Sequence, residues 1–315
     1  MRDVAPSSTV SGATRRESGA VSTWERVSFG LTHAVAAVLL KCLSVEGLYG
    51  FGRMFGYLEY LVNFKRRRRF DRALRFVLGR KPSVGEKRRH TREHFQRSRC
   101  DKLFYLVFDA ISRDKAMSLL VVEHKEVLDA AMARGKGVYL AMSHHGAYHA
   151  LGMLLAVNGY KTVGVRDRNE SALRRYVQQR FETRYPEFNQ MRVLYSGDYP
   201  REIYRCYKEG YLLGSAMDIS RVRDTTQRTE EVTIFGERRA FLSGPMRVAA
   251  RCGAPVLQGF VVPERGFRYR LDIVDTLLDP DTASDENAAI QAAMQAYAAR
   301  VESYVRARPS LISRI

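Results

Sequence analysis

The chain has 315 residues, and its hydrophobic content of 45% is ordinary for a globular protein with a full core. Its net charge of +18 is high and indicates an anionic partner, which is nucleic acid, an anionic membrane surface or an acidic protein. The four cysteines are far apart and form no CxxC pair, which argues against a zinc ribbon or a disulfide framework. No GxxxxGK[ST] or GxGxxG loop is present, which argues against nucleotide chemistry.

The N-terminal part of the chain divides into a polar leader and two apolar segments. Residues 1–23 are rich in Ser, Thr, Ala and Gly and lack the apolar run of a secretory signal, so we expect a disordered leader. Residues 24–43 and 45–64 predict two helices. The first is too short and too interrupted for a typical membrane span. Contact with a membrane surface is favoured over packing in the core or crossing the bilayer.

A basic segment follows the two apolar helices. Residues 65–102 contain sixteen Lys or Arg and four acids, so this segment carries +12 of the net charge. Its position beside apolar helices suits anionic lipid headgroups. Nucleic acid is the rival partner, but the sequence has no recognisable nucleic-acid-binding motif. We predict that residues 24–115 form a helical, basic, membrane-associated region, with one long helix over 86–115.

Apolar runs alternate with helical patterns in the rest of the chain. A helix is predicted at 121–134. Strands are predicted at 137–142, 161–166, 193–195, 211–217, 231–235, 255–262 and 268–274, and helices at 147–157, 169–184, 200–208, 244–252 and 288–306. This alternation predicts an α/β fold over residues 116–315, with a mainly parallel central sheet flanked by helices.

The stretch 137–152, GVYLAMSHHGAYHALG, concentrates the chemistry. It predicts a buried strand, a small polar loop and a helix. Three of the seven histidines of the chain lie inside it, at positions 144, 145 and 149. In α/β proteins, loops at the carboxyl ends of strands hold reactive groups, and histidine exchanges protons near neutral pH. A loop with histidines that only form local hydrogen bonds is the alternative interpretation.

The order of these features resembles the bacterial lipid A late acyltransferases of the lauroyl/myristoyl type, within the lysophospholipid acyltransferase superfamily. The family signature, written H-[FY]-G-x-W-E, corresponds to residues 144–149. The REHF sequence at 92–95, the stretch 166–169 and the pair Met217 and Asp218 resemble other family segments. So do the segments at 208–210, 234–236, 243–250 and 308–309. The resemblance covers residues 24–312.

The resemblance implies a glycerolipid acyltransferase-like fold and an enzyme that moves a fatty acyl chain from a thioester to a hydroxyl. The implied donor is acyl carrier protein or CoA, and the implied acceptor is a glycolipid or lipid A-like molecule. The implied location is the cytoplasmic face of the bacterial inner membrane, with peripheral or monotopic binding to anionic lipid. No metal or nucleotide cofactor and no nucleic-acid partner is implied. A catalytically inactive homologue that binds lipid or assists assembly is the alternative, and a nucleic-acid-binding protein is a third hypothesis.

The sequence departs from the family signature at one central position, because His149 stands where the family has its carboxylate. In the family mechanism, that acid orients the histidine that removes a proton from the acceptor hydroxyl. Three interpretations remain open: Asp167 or Asp218 serves His144 instead, His149 is a weaker orienting group, or the site is inactive. A metal site at His145 and His149 is a fourth, but no third ligand is evident.

The predicted catalytic residues are therefore His144, His149 and Asp218. The predicted substrate-binding residues are Gly146, Arg166, Arg168, Asn169 and Arg180. Backbone N–H groups around Gly146, with Arg166 or Arg168, are expected to hold the oxyanion, since guanidinium groups suit oxyanions.

Overall fold

The computed structural model describes residues 22–166, 176–177, 180–181, 183–195, 201–218 and 228–313. Four helices come first: α1 (Thr23–Cys42), α2 (Val45–Val62), α3 (Phe64–Leu78) and α4 (Val84–Val107). Their starts follow from local sequence, because Ser22, Ser44 and Ser83 each accept a hydrogen bond from a backbone N–H of the first turn. Gly79, with a φ of 64°, ends α3 in the left-handed conformation that favours glycine.

Two of the predicted helices are wrong in part. The helix expected over 86–115 ends at Val107 and is followed by a 3₁₀ turn and the short α5 (Arg113–Met117), which Ser112 caps. The helix expected over 121–134 is a strand, β1 (Leu120–Glu123), and then α6 (Lys125–Ala133). His124 separates them with a φ of 55°, and β1 gains its backbone partners from a strand far along the chain.

Within the described residues, the central sheet has seven strands in the order β1-β9-β8-β2-β5-β3-β4. Their bounds are β2 (Val138–Met142), β3 (Thr162–Arg166), β4 (Arg192–Tyr195), β5 (Leu212–Ala216), β8 (Val256–Pro263) and β9 (Tyr269–Leu278). All neighbouring strands pair in parallel except β8 and β9. The predicted mixed α/β fold with a mainly parallel sheet is confirmed.

The strand predicted at 231–235 lies outside this sheet. It is β6 (Thr229–Ile234), and it pairs in antiparallel register with β7 (Glu237–Leu242), which the sequence analysis did not predict. Phe235 and Gly236 form the two-residue turn, and both have positive φ values, as a tight hairpin requires.

Helices cover both faces of the central sheet. The other helices of the described residues are α7 (Tyr148–Val157), α8 (Arg201–Lys208), α9 (Gly244–Arg251) and α10 (Glu286–Ala307). The helix predicted at 169–184 lies largely outside the described residues. Leu140 of β2 belongs to a core with residues of α2, α4, α6 and α7, whereas Tyr139 and Ala141 belong to a second core with residues of α3, α8, α9 and α10. Successive strand residues point to opposite faces, so these cores lie on the two sides of the sheet.

The two N-terminal helices leave apolar side chains in solvent at helical spacing. On α1 these are Trp24, Val27, Leu31, Val35 and Val38, and on α2 they are Met54, Phe55, Leu58, Leu61 and Val62. Within the described ranges, no helix combines the length and the apolar character needed to cross a membrane.

Candidate active site

The candidate site lies where two neighbouring parallel strands end. β2 and β5 pair so that Met142 lies opposite Ala216. The residues that follow, Ser143 and His144 after β2 and Asp218 after β5, therefore meet at the same edge of the sheet. The structure thus brings Asp218 to the histidine loop, which we define as residues 143–147.

Asp218 is bonded by three donors of the histidine loop, which are Ser143 Oγ, His144 N and His144 Nδ1. Ser143 Oγ donates to Asp218 Oδ2 at 2.7 Å, and the backbone N of His144 lies 3.0 Å from both carboxylate oxygens. The ring Nδ1 of His144 lies 2.7 Å from Oδ1. The Asp218 side chain is only 4% exposed, so these bonds are formed away from bulk water, where they are strongest.

This geometry sets the proton positions on His144. A carboxylate can only accept hydrogen bonds, so Nδ1 of His144 carries the hydrogen, and in the neutral form of the ring Nε2 carries the lone pair. Burial raises the pKa of Asp218, but the hydrogen bond from His144 and the charges of the histidines outweigh it, and the pKa lies below its usual value. Asp218 is therefore ionised at neutral pH. A base oriented by a buried carboxylate is the arrangement used in general-base catalysis.

His145 points into the protein, where the end of the chain holds it. Its Nδ1 accepts a hydrogen bond of 3.2 Å from the backbone N of Ser313, and its Nε2 lies 3.7 Å from Asp218. Burial lowers the pKa of His145, so its ring is neutral near pH 7. Ser313 Oγ also donates to the carbonyl oxygen of His144. The C-terminal segment thus fixes the histidine loop from behind.

Gly146 is required by close backbone packing. Its φ is 95°, and a Cβ atom there would lie 2.5 Å from the carbonyl oxygen of Val261. The N–H of Gly146 donates to Leu311 O at 3.1 Å, and the N–H of Ala147 donates to Val261 O at 3.2 Å. Both N–H groups already have acceptors. They do not form the predicted oxyanion site in this conformation.

His149 does not take the orienting position next to His144. It lies in the first turn of α7, with its ring centroid 5.7 Å from that of Tyr148 and 6.2 Å from that of Tyr105. It interacts electrostatically with Asp101 of α4, a buried carboxyl whose pKa is raised by burial. Because Asp218 holds Nδ1 of His144, the geometry favours the first of the three interpretations over the second.

The metal interpretation has no support in this geometry. His145 lies in the loop before α7, which begins at Tyr148, so His145 and His149 do not share a helix face. In the described part of the chain, no group of three His, Cys, Asp or Glu side chains is arranged to hold a metal ion.

The predicted substrate-binding arginines are only partly described. Arg166 ends β3, and its side chain lies outside the described residues, as do Arg168, Asn169 and Asp167. Arg180 donates from Nε to Asp109 at 2.7 Å, and Asp109 also bonds His33 of α1 at 3.0 Å. Arg180 therefore has a partner within the chain, and its contact with substrate stays a prediction.

Sequence reasoning missed three residues that shape the site. Ser143 bonds Asp218, Ser313 bonds both loop histidines, and Tyr297 of α10 donates to the carbonyl oxygen of Met142 at 2.7 Å. Only Ser143 had a local signal, because it is the first polar residue after β2. The other two lie more than 150 positions along the chain and carry no motif.

The sequence profile of the bacterial lipid A biosynthesis acyltransferases matches residues 25–311, which is most of the chain. The chain belongs to this family of acyltransferases. The resemblance seen in the sequence is confirmed, and so, at the level of the family, is the prediction of an acyltransferase.

Two known proteins are similar to parts of the chain. The phosphatidylinositol mannoside acyltransferase of Mycobacterium tuberculosis is 30% identical over 132 residues, which are 41% of this chain and 40% of that protein. The chain thus aligns with less than half of that curated relative. The crystal structure of a 1-acyl-sn-glycerophosphate acyltransferase from Thermotoga maritima is similar at 15% identity and a TM-score of 0.37, over 69% of this chain and 85% of that one.

Proposed function

We propose that the protein transfers a fatty acyl chain from a thioester to a hydroxyl group of a glycolipid or lipid A-like acceptor. The observation that carries this proposal is the 2.7 Å hydrogen bond between His144 Nδ1 and Asp218. Asp218 supplies the carboxylate that this chain lacks at position 149, which favours an active enzyme over a catalytically inactive homologue.

His144 is the general base in the proposed reaction. Nε2 of His144 removes the proton from the acceptor hydroxyl as its oxygen attacks the thioester carbonyl carbon. A tetrahedral intermediate forms with its negative charge on the former carbonyl oxygen. When the carbon–sulfur bond breaks, the proton on Nε2 goes to the leaving thiolate, so the products are an ester and a free thiol.

Asp218 is the positioning residue. Its negative charge stabilises the imidazolium that forms on His144 during the attack, and its hydrogen bond keeps Nε2 directed at the acceptor. Ser143 and the backbone N of His144 hold the carboxylate in place through the other bonds. The charge on the oxyanion is assigned to Arg166 or Arg168, because the N–H groups of Gly146 and Ala147 are already bonded.

The proposed donor is acyl carrier protein, with CoA as the alternative. Acyl carrier protein is acidic, and opposite charges speed and orient the encounter of two proteins. The net charge of +18 suits such a partner. The glycolipid acceptor has support from the mycobacterial relative, which is named for a phosphatidylinositol mannoside.

The proposed location is the cytoplasmic face of the inner membrane, bound peripherally or monotopically. The exposed apolar stripes of α1 and α2 support this location, because such stripes insert into the headgroup region of a bilayer. α3 follows α2 directly and exposes Lys65, Arg68, Arg69 and Arg72, and each basic residue near an anionic surface contributes about 1 kcal/mol.

The reaction is tested with purified full-length protein, acyl-thioester donor and a bacterial lipid extract. Release of free thiol and appearance of acylated lipid are measured, with acyl carrier protein and CoA donors compared. We expect the wild type to transfer acyl chains and His144→Ala to lose the activity by roughly a thousand-fold or more. Equal thiol release by the two proteins with every donor would reject the enzyme and favour the inactive homologue.

A further inference from the structure

A buried hydroxyl group joins the ends of the two strands that carry the candidate site. Tyr297 of α10 is fully buried, and its hydroxyl donates a 2.7 Å hydrogen bond to the carbonyl oxygen of Met142. Met142 is the last residue of β2 and lies directly before the histidine loop. The same carbonyl accepts a 3.3 Å bond from the backbone N of Met217, which lies directly before Asp218. Met142 O is therefore a junction between the histidine loop, the segment that carries Asp218, and α10.

The hydroxyl of Tyr297 interacts with the end of β5 as well as with the end of β2. Burial, followed by the charge of Asp218, raises the pKa of Tyr297 well above its usual value. The backbone N–H groups of Met217 and Asp218 lower that pKa, but by less. The hydroxyl therefore keeps its proton at neutral pH and stays a donor to Met142 O. One group thus acts on the backbone on both sides of the bond between His144 and Asp218.

The helix that carries Tyr297 is held on two sides. From the sheet, Gln258 of β8 donates a 3.3 Å hydrogen bond to the backbone carbonyl of Tyr297. From the β6–β7 hairpin, the backbone N and O of Thr233 both bond the side chain of Gln295, at 2.9 and 3.1 Å. The ring of Phe241 in β7 packs edge-on against the ring of Tyr297, with the centroids 6.2 Å apart. These contacts leave the hydroxyl little freedom to move.

We propose that Tyr297 is a positioning residue for the pair of His144 and Asp218. Its hydroxyl fixes the end of β2 relative to the end of β5, and this separation sets the 2.7 Å bond between His144 Nδ1 and Asp218. Tyr297 acts through the backbone, because its hydroxyl bonds Met142 O and neither side chain of the pair. Small displacements matter here, since an error of about 1 Å in the position of a reacting group can lower a rate about 100-fold.

The first test compares Tyr297→Phe with the wild type, both as full-length protein, and it rests on the proposed acyl transfer. Phenylalanine keeps the ring and its packing and removes only the hydroxyl. We expect kcat to fall roughly ten- to a hundred-fold, with KM within about two-fold of the wild type. The reason is that the hydroxyl sets the geometry of the general base and does not bind donor or acceptor.

A second measurement needs no substrate. The ring nitrogen shifts of His144 in NMR spectra report which nitrogen carries the hydrogen, and the spectrum of His144→Ala identifies these signals. In the neutral ring of the wild type, Nδ1 should carry the hydrogen, because Asp218 accepts its bond. In Tyr297→Phe the bond is no longer held at its length, so the tautomer with the hydrogen on Nε2 should become populated.

Tyr185→Phe is the matched control. Tyr185 is buried, and its hydroxyl donates to the carbonyl oxygens of Phe108 and Ile111 at 2.7 and 2.6 Å, in the turn after α4. The variant loses the same group from the same kind of bond, but not at the ends of β2 and β5. It should lose stability in urea unfolding as Tyr297→Phe does, while kcat and the tautomer of His144 stay as in the wild type.

If Tyr297→Phe does not fold, Gln258→Met replaces it, because this change removes the bond to the backbone of Tyr297 and keeps a side chain of similar length. It should lower kcat several-fold and populate the same second tautomer of His144.

Three results would overturn the positioning role. They are a kcat of Tyr297→Phe within about three-fold of the wild type, far below the expected loss, an unchanged tautomer of His144, and equal losses of kcat in Tyr297→Phe and Tyr185→Phe. A wild type that transfers no acyl chain would instead reject the proposed function, and the tautomer measurement alone would then decide the role of Tyr297.

Discussion

Asp218→Asn is the change that tests the proposed site most directly. The side chain keeps its shape but loses its charge, and one of its two oxygens becomes an NH₂ group. In the wild type, both oxygens accept hydrogen bonds from the histidine loop, from Ser143 Oγ, His144 N and His144 Nδ1. In the variant, the NH₂ group faces at least one donor that it cannot bond.

The expected loss has two components. Without the charge, the imidazolium of His144 is no longer stabilised and Nδ1 is no longer forced to carry the hydrogen. By analogy with a buried orienting carboxylate elsewhere, kcat falls by about 10⁴-fold. One buried donor without a partner, which had bonded a charged group, costs about 1.5–3 kcal/mol of the free energy of unfolding.

The measurement is kcat and KM for acyl transfer, with urea unfolding of the same samples to confirm that the variant is folded under the assay conditions. Loss of kcat with little change in KM would identify Asp218 as acting on the chemical step through His144. If the folded variant keeps kcat within about three-fold of wild type, a size far below the loss expected for an orienting carboxylate, then Asp218 does not serve His144 and the proposed mechanism is wrong.

The remaining predictions concern Gly146, two histidines and the exposed face of α2. Gly146→Ala places a Cβ 2.5 Å from Val261 O at a φ of 95°, so we expect about 2 kcal/mol or more of destabilisation in urea unfolding; an unchanged midpoint would contradict this. His149→Glu adds a carboxylate near buried Asp101 rather than near His144 Nδ1, so kcat should not rise; a gain of roughly ten-fold or more, about 1.4 kcal/mol of barrier, would show that position 149 limits catalysis. Burial lowers the pKa of His94 to about 3, while its unfolded value is near 6.5; the unfolded chain therefore takes up a proton that the folded chain does not, and stability present above pH 6.5 is lost on acidification, by about 2 kcal/mol at pH 5. In His94→Gln, the free energy of unfolding measured with urea should differ less between pH 7 and pH 5 than it does in the wild type. The same difference in both proteins would refute the assignment to His94. Leu58→Glu on the exposed face of α2 should reduce flotation on anionic vesicles, whereas Val121→Glu on β1 should not; equal flotation of the two variants would rule out α2 as the membrane contact.

The sequence predicted the secondary structure around the histidine loop but not the partner of His144. The strand, the loop and the helix from 137 to 157 were predicted within one or two residues, because apolar runs and their periods are local properties. The sequence left three candidates for the partner of His144, which are Asp167, Asp218 and His149. Asp218 lies 74 residues further along the chain, and it meets His144 because β5 is the neighbour of β2 in the sheet.

The strands β1 and β7 were not predicted from the sequence for the same physical reason. β1 is only four residues long, and its backbone groups pair with β9, which lies almost 150 positions further on. β7 is rich in charged residues and is a strand because β6 lies beside it. Neither segment has enough apolar periodicity of its own to indicate a strand, so only long-range backbone pairing decides its conformation.

By itself, the sequence determined the α/β class, the family and the location of His144, because short-range patterns and a local motif encode them. The tertiary structure decided which carboxylate orients that histidine and how the C-terminal segment holds its loop. Both depend on strand order and helix packing, which bring together residues that no local pattern connects.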